Sequence, residues 1–177
     1  GRTMTHMALT AVGTDRPGIV AALTGALYDL GCNIEDADSA VLRGVFALTL
    51  VVAAPDELDG PALERAAASA LGPIEASVSV RAVAEDPGPP ARATHRMRAQ
   101  GADRPGIVAL LSRLLADRDV NMTSFSAGAS DEAEPIAWLA AEIHVPPDVD
   151  VPGLAEDLIE TATDLGLEVT FEPIVRP

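Results

Sequence analysis

Asp15-Arg16-Pro17-Gly18-Ile19-Val20-Ala21 is the segment whose residue types and spacing best suit chemistry, and it recurs letter for letter as Asp103 to Ala109. Proline is tolerated in the first turn of a helix, because the N–H it lacks has no partner there. A helix starting near Pro17 presents unpaired N–H groups and a positive dipole end, which suit a carboxylate. Gly18 and Gly106 remove a side chain beside that end and let a ligand approach. Asp15 and Asp103 can receive an ammonium group, and the amides of Asn33 and Asn121 can both donate and accept. Together these groups complement a zwitterion. The same residues carry a second reading, in which Asp caps the helix, Pro-Gly shapes the turn and Asn bonds locally to the backbone.

The elements that must position these groups come in two copies. At an offset of 88 residues, 12 of the 21 positions from Gly13 to Asn33 have an identical counterpart, among them Gly13/Gly101, Leu23/Leu111, Leu27/Leu115 and Asn33/Asn121. In the first copy, Met7 to Val12 reads as a short apolar strand. The helix from Pro17 carries Ile19, Leu23, Leu27 and Leu30, with Val20, as one buried stripe, and Asp15 is placed to cap it. Gly31 ends the helix. Ile34 to Leu42 and Val45 to Ala53 read as strands around an Arg43-Gly44 turn, Pro61 to Leu71 as an alanine-rich helix, and Ala76 to Ala82 as a strand with one buried face. The second copy repeats the order with Arg96 to Ala99, Pro105 to Arg118, Met122 to Ala127, Ile136 to Val145, Pro152 to Leu165 and Leu167 to Phe171; its hairpin connection, Gly128 to Pro135, is longer and acidic. Between the copies, the proline- and glycine-rich stretch 85–93 is expected to be an extended linker separating a domain at 4–84 from one at 94–175.

Strand-helix-strand-strand-helix-strand is the ferredoxin-like plan, so the fold class is α+β: two tandem units, each an antiparallel sheet with helices on one face. With Asp-Arg-Pro-Gly-Ile-Val in the first turn and Asn opening the second strand, each unit resembles an ACT domain. The pair resembles the family of glycine cleavage system transcriptional repressors. The resemblance implies a small-molecule sensor, usually of amino acids, built at an interface between domains. It also implies ligand-binding residues at Asp15, Pro17, Gly18, Ile19 and Asn33, and at Asp103, Pro105, Gly106, Ile107 and Asn121. One departure stands out. Some amino-acid-binding ACT domains carry a polar or basic side chain two positions before the Asp, where this chain has Gly13 and Gly101.

Composition narrows the partners. The chain has 177 residues and a net charge of −15, and all 12 of its basic residues are arginine. Its field repels nucleic acid, and the cluster Arg92, Arg96 and Arg98 is too small to track phosphates, so direct DNA or RNA binding is not expected. Aromatic residues are 3% of the chain, which argues against base- or sugar-stacking platforms. The longest apolar run, Val45 to Ala54, suits a buried strand and not a membrane span. No secretory signal precedes it, and the single Cys32 excludes an internal disulfide; both fit the cytoplasm. Met4 reads as the natural start, with Gly1 to Thr3 as an addition ahead of it.

Signatures of catalysis, metal binding or a cofactor are missing. His6, His95 and His144 are scattered, and His6 and His95 read as solvated. Cys32 has Val120 as its counterpart and reads as a half-buried apolar position. Asp36 and Asp38 share a strand face, but Ser124 and Ser126 replace them in the second copy and no base accompanies them. The expected function is therefore non-catalytic. The protein would sense an amino acid, glycine or serine by the resemblance, and act on a partner protein such as a transcription regulator, as a homodimer in which the two units also pack on each other. Two alternatives stay open: a regulatory pair related to those of phosphoserine phosphatases or formyltetrahydrofolate deformylases, whose catalytic domain this chain, ending at Pro177, is not expected to carry, and a purely structural dimerisation module.

Overall fold

A computed structural model describes residues 3–84 and 91–177, so residues 85–90 of the expected linker lie outside the described residues. The chain divides into two compact units, residues 1–88 and 89–177. The first holds β1 (Met4–Thr14), α1 (Ile19–Asp29), β2 (Asn33–Leu42), β3 (Val45–Pro55), α2 (Gly60–Ala70) and β4 (Ala76–Ala82). The second repeats that order as β5 (His95–Ala102), α3 (Ile107–Ala116), β6 (Asn121–Ala129), β7 (Ile136–His144), α4 (Val151–Asp164) and β8 (Leu167–Pro173). Each unit has one four-stranded antiparallel sheet, ordered β2-β3-β1-β4 or β6-β7-β5-β8.

Alternation along the strands decides which face is covered. Met7, Leu9 and Ala11 of β1 and Phe46, Leu48 and Leu50 of β3 are buried with Ile19, Leu23 and Leu27 of α1 and Leu63 and Ala67 of α2. The second unit does the same with Met97, Leu139, Ile143, Leu111, Leu115, Leu154 and Leu158. Each fully buried leucine contributes about 2 kcal/mol relative to an exposed one. Within each unit, both described helices pack on this one face of the sheet. Arg43 (φ 49°) and Gly44 (φ 80°) form the two-residue turn of the β2–β3 hairpin, the left-handed pair that matches the strands' twist.

Several expectations need correction. Both central strands are longer than their apolar segments, Met4–Thr14 against Met7 to Val12 and His95–Ala102 against Arg96 to Ala99. A strand paired on both sides keeps its ladder through polar residues. The helices expected from Pro17 and Pro105 start at Ile19 and Ile107, because Gly18 (φ 91°) and Gly106 (φ 93°) are left-handed and cannot lie within a right-handed helix. Val20 is not part of the buried stripe; it is 49% exposed, one position round the helix from Ile19. His95 is not solvated. It is half-buried, stacked on Phe171 at 4.8 Å between ring centres, with its Nδ1 2.8 Å from the Thr94 hydroxyl, and burial pushes its pKa below the ordinary 6.5.

Candidate functional site

The site begins with how the repeated turn is held. The Asp15 backbone N–H donates to the Gly44 carbonyl at 2.9 Å, and the Asp103 N–H donates to the Pro135 carbonyl at the same distance. The turn is thereby fastened to the connection that joins the next two strands. Gly18 and Gly106 then reverse the chain into α1 and α3. No side chain caps either helix, which corrects the expected capping by Asp15. The carboxylates of Asp15 and Asp103 and the amides of Asn33 and Asn121 have no hydrogen-bond or ion-pair partner among the described residues.

Gly13 and Gly101 have a different reason to be glycine. A Cβ on Gly13 would stand 2.4 Å from the Glu75 carbonyl oxygen, and one on Gly101 2.5 Å from that of Gly166. The backbone entering the last strand of each unit passes too close for a side chain. The departure from the polar residue at that position is thus set by packing against the backbone.

The expected residues do not converge within a unit. Asp15 adjoins the row Thr14–Val45–Leu42, whereas Asn33 pairs with Ala53, which faces His6. Eight residue steps along β3 separate those rows, about 25 Å. The second unit has the same separation, since Ala102 pairs with Ile136 and Asn121 with His144. Asp103, Gly106 and Ile107 do come together, in a cavity of about 380 Å³ that Gly128, Ala137 and Trp138 complete. Asn121 lines a separate groove of about 580 Å³ with Ser112, Arg113 and Phe125. In the first unit, a cavity of about 440 Å³ lies between α1 and β2, against Val20, Thr24 and Asp38. Pro17, Gly18 and Pro105 are exposed in their turns, and Ile19 and Ile107 are buried below them.

Sequence reading missed Trp138. Its indole lies across Gly128, where an added Cβ would be 3.0 Å from the ring, so the glycine leaves the ring its place. That pairing depends on the β6–β7 register, which sequence spacing does not set. The remaining reactive groups fall into structural roles. Burial raises the pKa of Cys32, which packs on the first core, and His6 sits 2.9 Å from Glu35. Among the described residues, no group of three His, Cys, Asp or Glu side chains is placed to hold a metal ion. No helix is long and apolar enough to cross a membrane.

Two ferredoxin-like units, each opening on a tethered Asp-Arg-Pro-Gly turn, define the class: residues 5–81 match the ACT domain family model, and the second unit repeats the plan. Residues 5–81 form an ACT domain, and the second unit repeats its order of strands and helices. Its relatives include a UPF0237 protein of Methanopyrus kandleri, 45% identical over 49 residues that make up 28% of this chain and 54% of that one. Phosphoserine phosphatase SerB2 of Mycobacterium tuberculosis is 30% identical over 143 residues, 78% of this chain and 34% of that one. The glycine cleavage system transcriptional repressor of Escherichia coli is 25% identical over 167 residues, 92% of this chain and 87% of that one. The chain thus spans about half the length of the first and a third of the second. Among solved structures, an unknown protein from Galdieria sulphuraria shares the fold with a TM-score of 0.82 at 23% identity, over 97% of this chain and 99% of that one.

Proposed function

We propose that this protein is a non-catalytic regulator that binds an amino acid at its two repeated turns and passes the binding event to a partner protein. The observation that carries this reading is the open start of α1 and α3. Asp59 accepts from the Ala62 N–H at 2.8 Å and Asp150 from the Gly153 N–H at 3.3 Å, so α2 and α4 are closed by their own side chains. The two starts that follow the repeated turn have no such cap and keep their N–H groups for a carboxylate.

An Asp about 25 Å from its Asn calls for a second copy. β2 and β6 are edge strands with unpaired backbone groups. An antiparallel strand from a second molecule along β2 would bring its Asn end beside the Asp15 turn, which supports a homodimer with the ligand at the seam. Binding there would favour the paired arrangement by linkage and so change what a partner protein meets. Similarity to the glycine cleavage repressor supports glycine or serine as the ligand and a transcription regulator as the partner. Similarity to SerB2 supports a second reading, an ACT pair that regulates a phosphatase. Isothermal titration against the common amino acids tests the first step. Glycine or serine should release or absorb heat, and the Asp15→Ala/Asp103→Ala double variant should lose the signal; no heat with any amino acid would overturn the proposal.

A further inference from the structure

The open face of the second sheet differs from that of the first in one respect that the fold does not require. Both faces have the same register, so positions can be compared one by one. In the first unit, Thr10 and Val12 of β1 stand beside Ala47, Thr49, Ser77 and Ser79, a small neutral surface. At the matching places in the second unit stand Arg98 and Gln100, flanked by Trp138 and Ala140 on β7 and by Glu168 and Thr170 on β8. One row further along, Arg96 lies between Glu142 and Glu172. The second-unit side chains other than Glu142 line a groove of about 640 Å³, within the size range of small-molecule sites.

The charges in this groove are not all satisfied internally. Arg96 and Glu142 form an ion pair at 3.7 Å. Arg98 faces only Ala140 and Thr170 across its strands and has no ion-pair partner among the described residues. Glu168 and Glu172, both exposed, are likewise unpaired among the described residues. That leaves one guanidinium suited to grip a carboxylate with two N–H groups, and two carboxylates suited to cations. The Trp138 indole, 44% exposed at the edge of the groove, offers a further surface that attracts a cation to its face. With Arg96 paired to Glu142, Arg98 is left beside two carboxylates, Glu168 and Glu172, so a ligand with more positive groups than negative ones completes the set, and the net charge of −15 on the whole chain draws such a ligand in.

We infer that this groove is a second ligand site, distinct from the repeated turns, and that it takes a basic α-amino acid of the arginine or lysine type. Arg98 holds the α-carboxylate and Glu172 the α-ammonium. The cationic end of the side chain lies in the next row between Trp138 and Glu168, one pleat away at about 7 Å, a span that an extended arginine or lysine covers.

Trp138 is the chain's one tryptophan and borders both this groove and the Asp103 cavity, so its fluorescence reports on those two places and not on the first-unit turn, and the Arg98→Gln variant separates the two. L-arginine and L-lysine should change its emission saturably. Arg98→Gln should weaken that response at least tenfold and Glu168→Gln several-fold, with circular dichroism unchanged in both variants. Agmatine, which lacks the carboxylate, should bind at least tenfold more weakly than arginine. The proposal is overturned if neither amino acid gives a saturable change, if agmatine matches arginine, or if Arg98→Gln leaves the response intact. Glycine and serine heats in the same preparation are a separate readout: their absence would defeat binding at the turns and leave this groove untouched.

Discussion

α1 and α3 begin in one way, α2 and α4 in another. The first pair follows a Pro-Gly turn whose glycine is left-handed, and no side chain closes the helix end. The second pair follows an aspartate whose carboxylate accepts an N–H from the first turn, with proline two positions on. All four helices support a core, so burial does not separate them. What separates them is what happens to the orphan N–H groups, which need a partner from the protein, from water or from a ligand. The closed pair is finished by the sequence next to it. The open pair stays available, and the Asp beside each is tied through its backbone and not through its carboxylate. An acidic residue near a helix start is therefore not evidence of a cap until its distance is known.

The contrast can be broken most forcefully at the glycines that hold the turn in place. Gly13→Val or Gly101→Val puts side-chain carbon where the Glu75 or Gly166 carbonyl oxygen stands, and should cost about 3 kcal/mol or more by urea denaturation. Gly18→Ala and Gly106→Ala meet open space or a single leucine methyl at 3.9 Å, so their cost is the left-handed backbone alone, about 1–2 kcal/mol by the same measurement. Next come the helix starts themselves. Asp59→Ala and Asp150→Ala each remove a cap and should lose about 1 kcal/mol, whereas Asp15→Ala and Asp103→Ala should stay within about 0.5 kcal/mol of the parent. Equal losses at all four aspartates would erase the distinction between open and closed helices.

The smallest effect lies in the difference between the two units. His95 occupies the place that Met7 fills in the first. Because burial lowers its pKa in the folded state, the unfolded chain takes up the proton more readily. Stability from this group is present above the ordinary 6.5 and falls as the pH drops below it toward the lowered folded value. His95→Met, which copies the first unit, should flatten the loss of thermal stability as the pH falls below about 6.5.

Much of the fold could be read from residue order. The repeat of Asp-Arg-Pro-Gly-Ile-Val announced two copies, and the leucine spacing in α1 and α3 announced a helix against a sheet. The Arg43-Gly44 pair announced a hairpin. The error over Val20 arose because the apolar residue next to a buried one on a helix is turned 100° away, outside the stripe that its hydrophobicity invites. Nearness to a linker says nothing about Phe171, 76 residues later, on which His95 stacks.

By itself, the sequence determined the duplicated α+β plan, the apolar faces and the Arg43-Gly44 turn, because periodicity and backbone sterics act over a few residues. Only the tertiary structure decided the rest. It placed each Asp about 25 Å from its Asn, left two helix starts open while closing two, laid Trp138 across Gly128 and stood Arg98 unpaired on an open sheet face. Those outcomes depend on strand register, and register follows from the whole core settling at once, since a shift of one residue would turn every buried side chain outward.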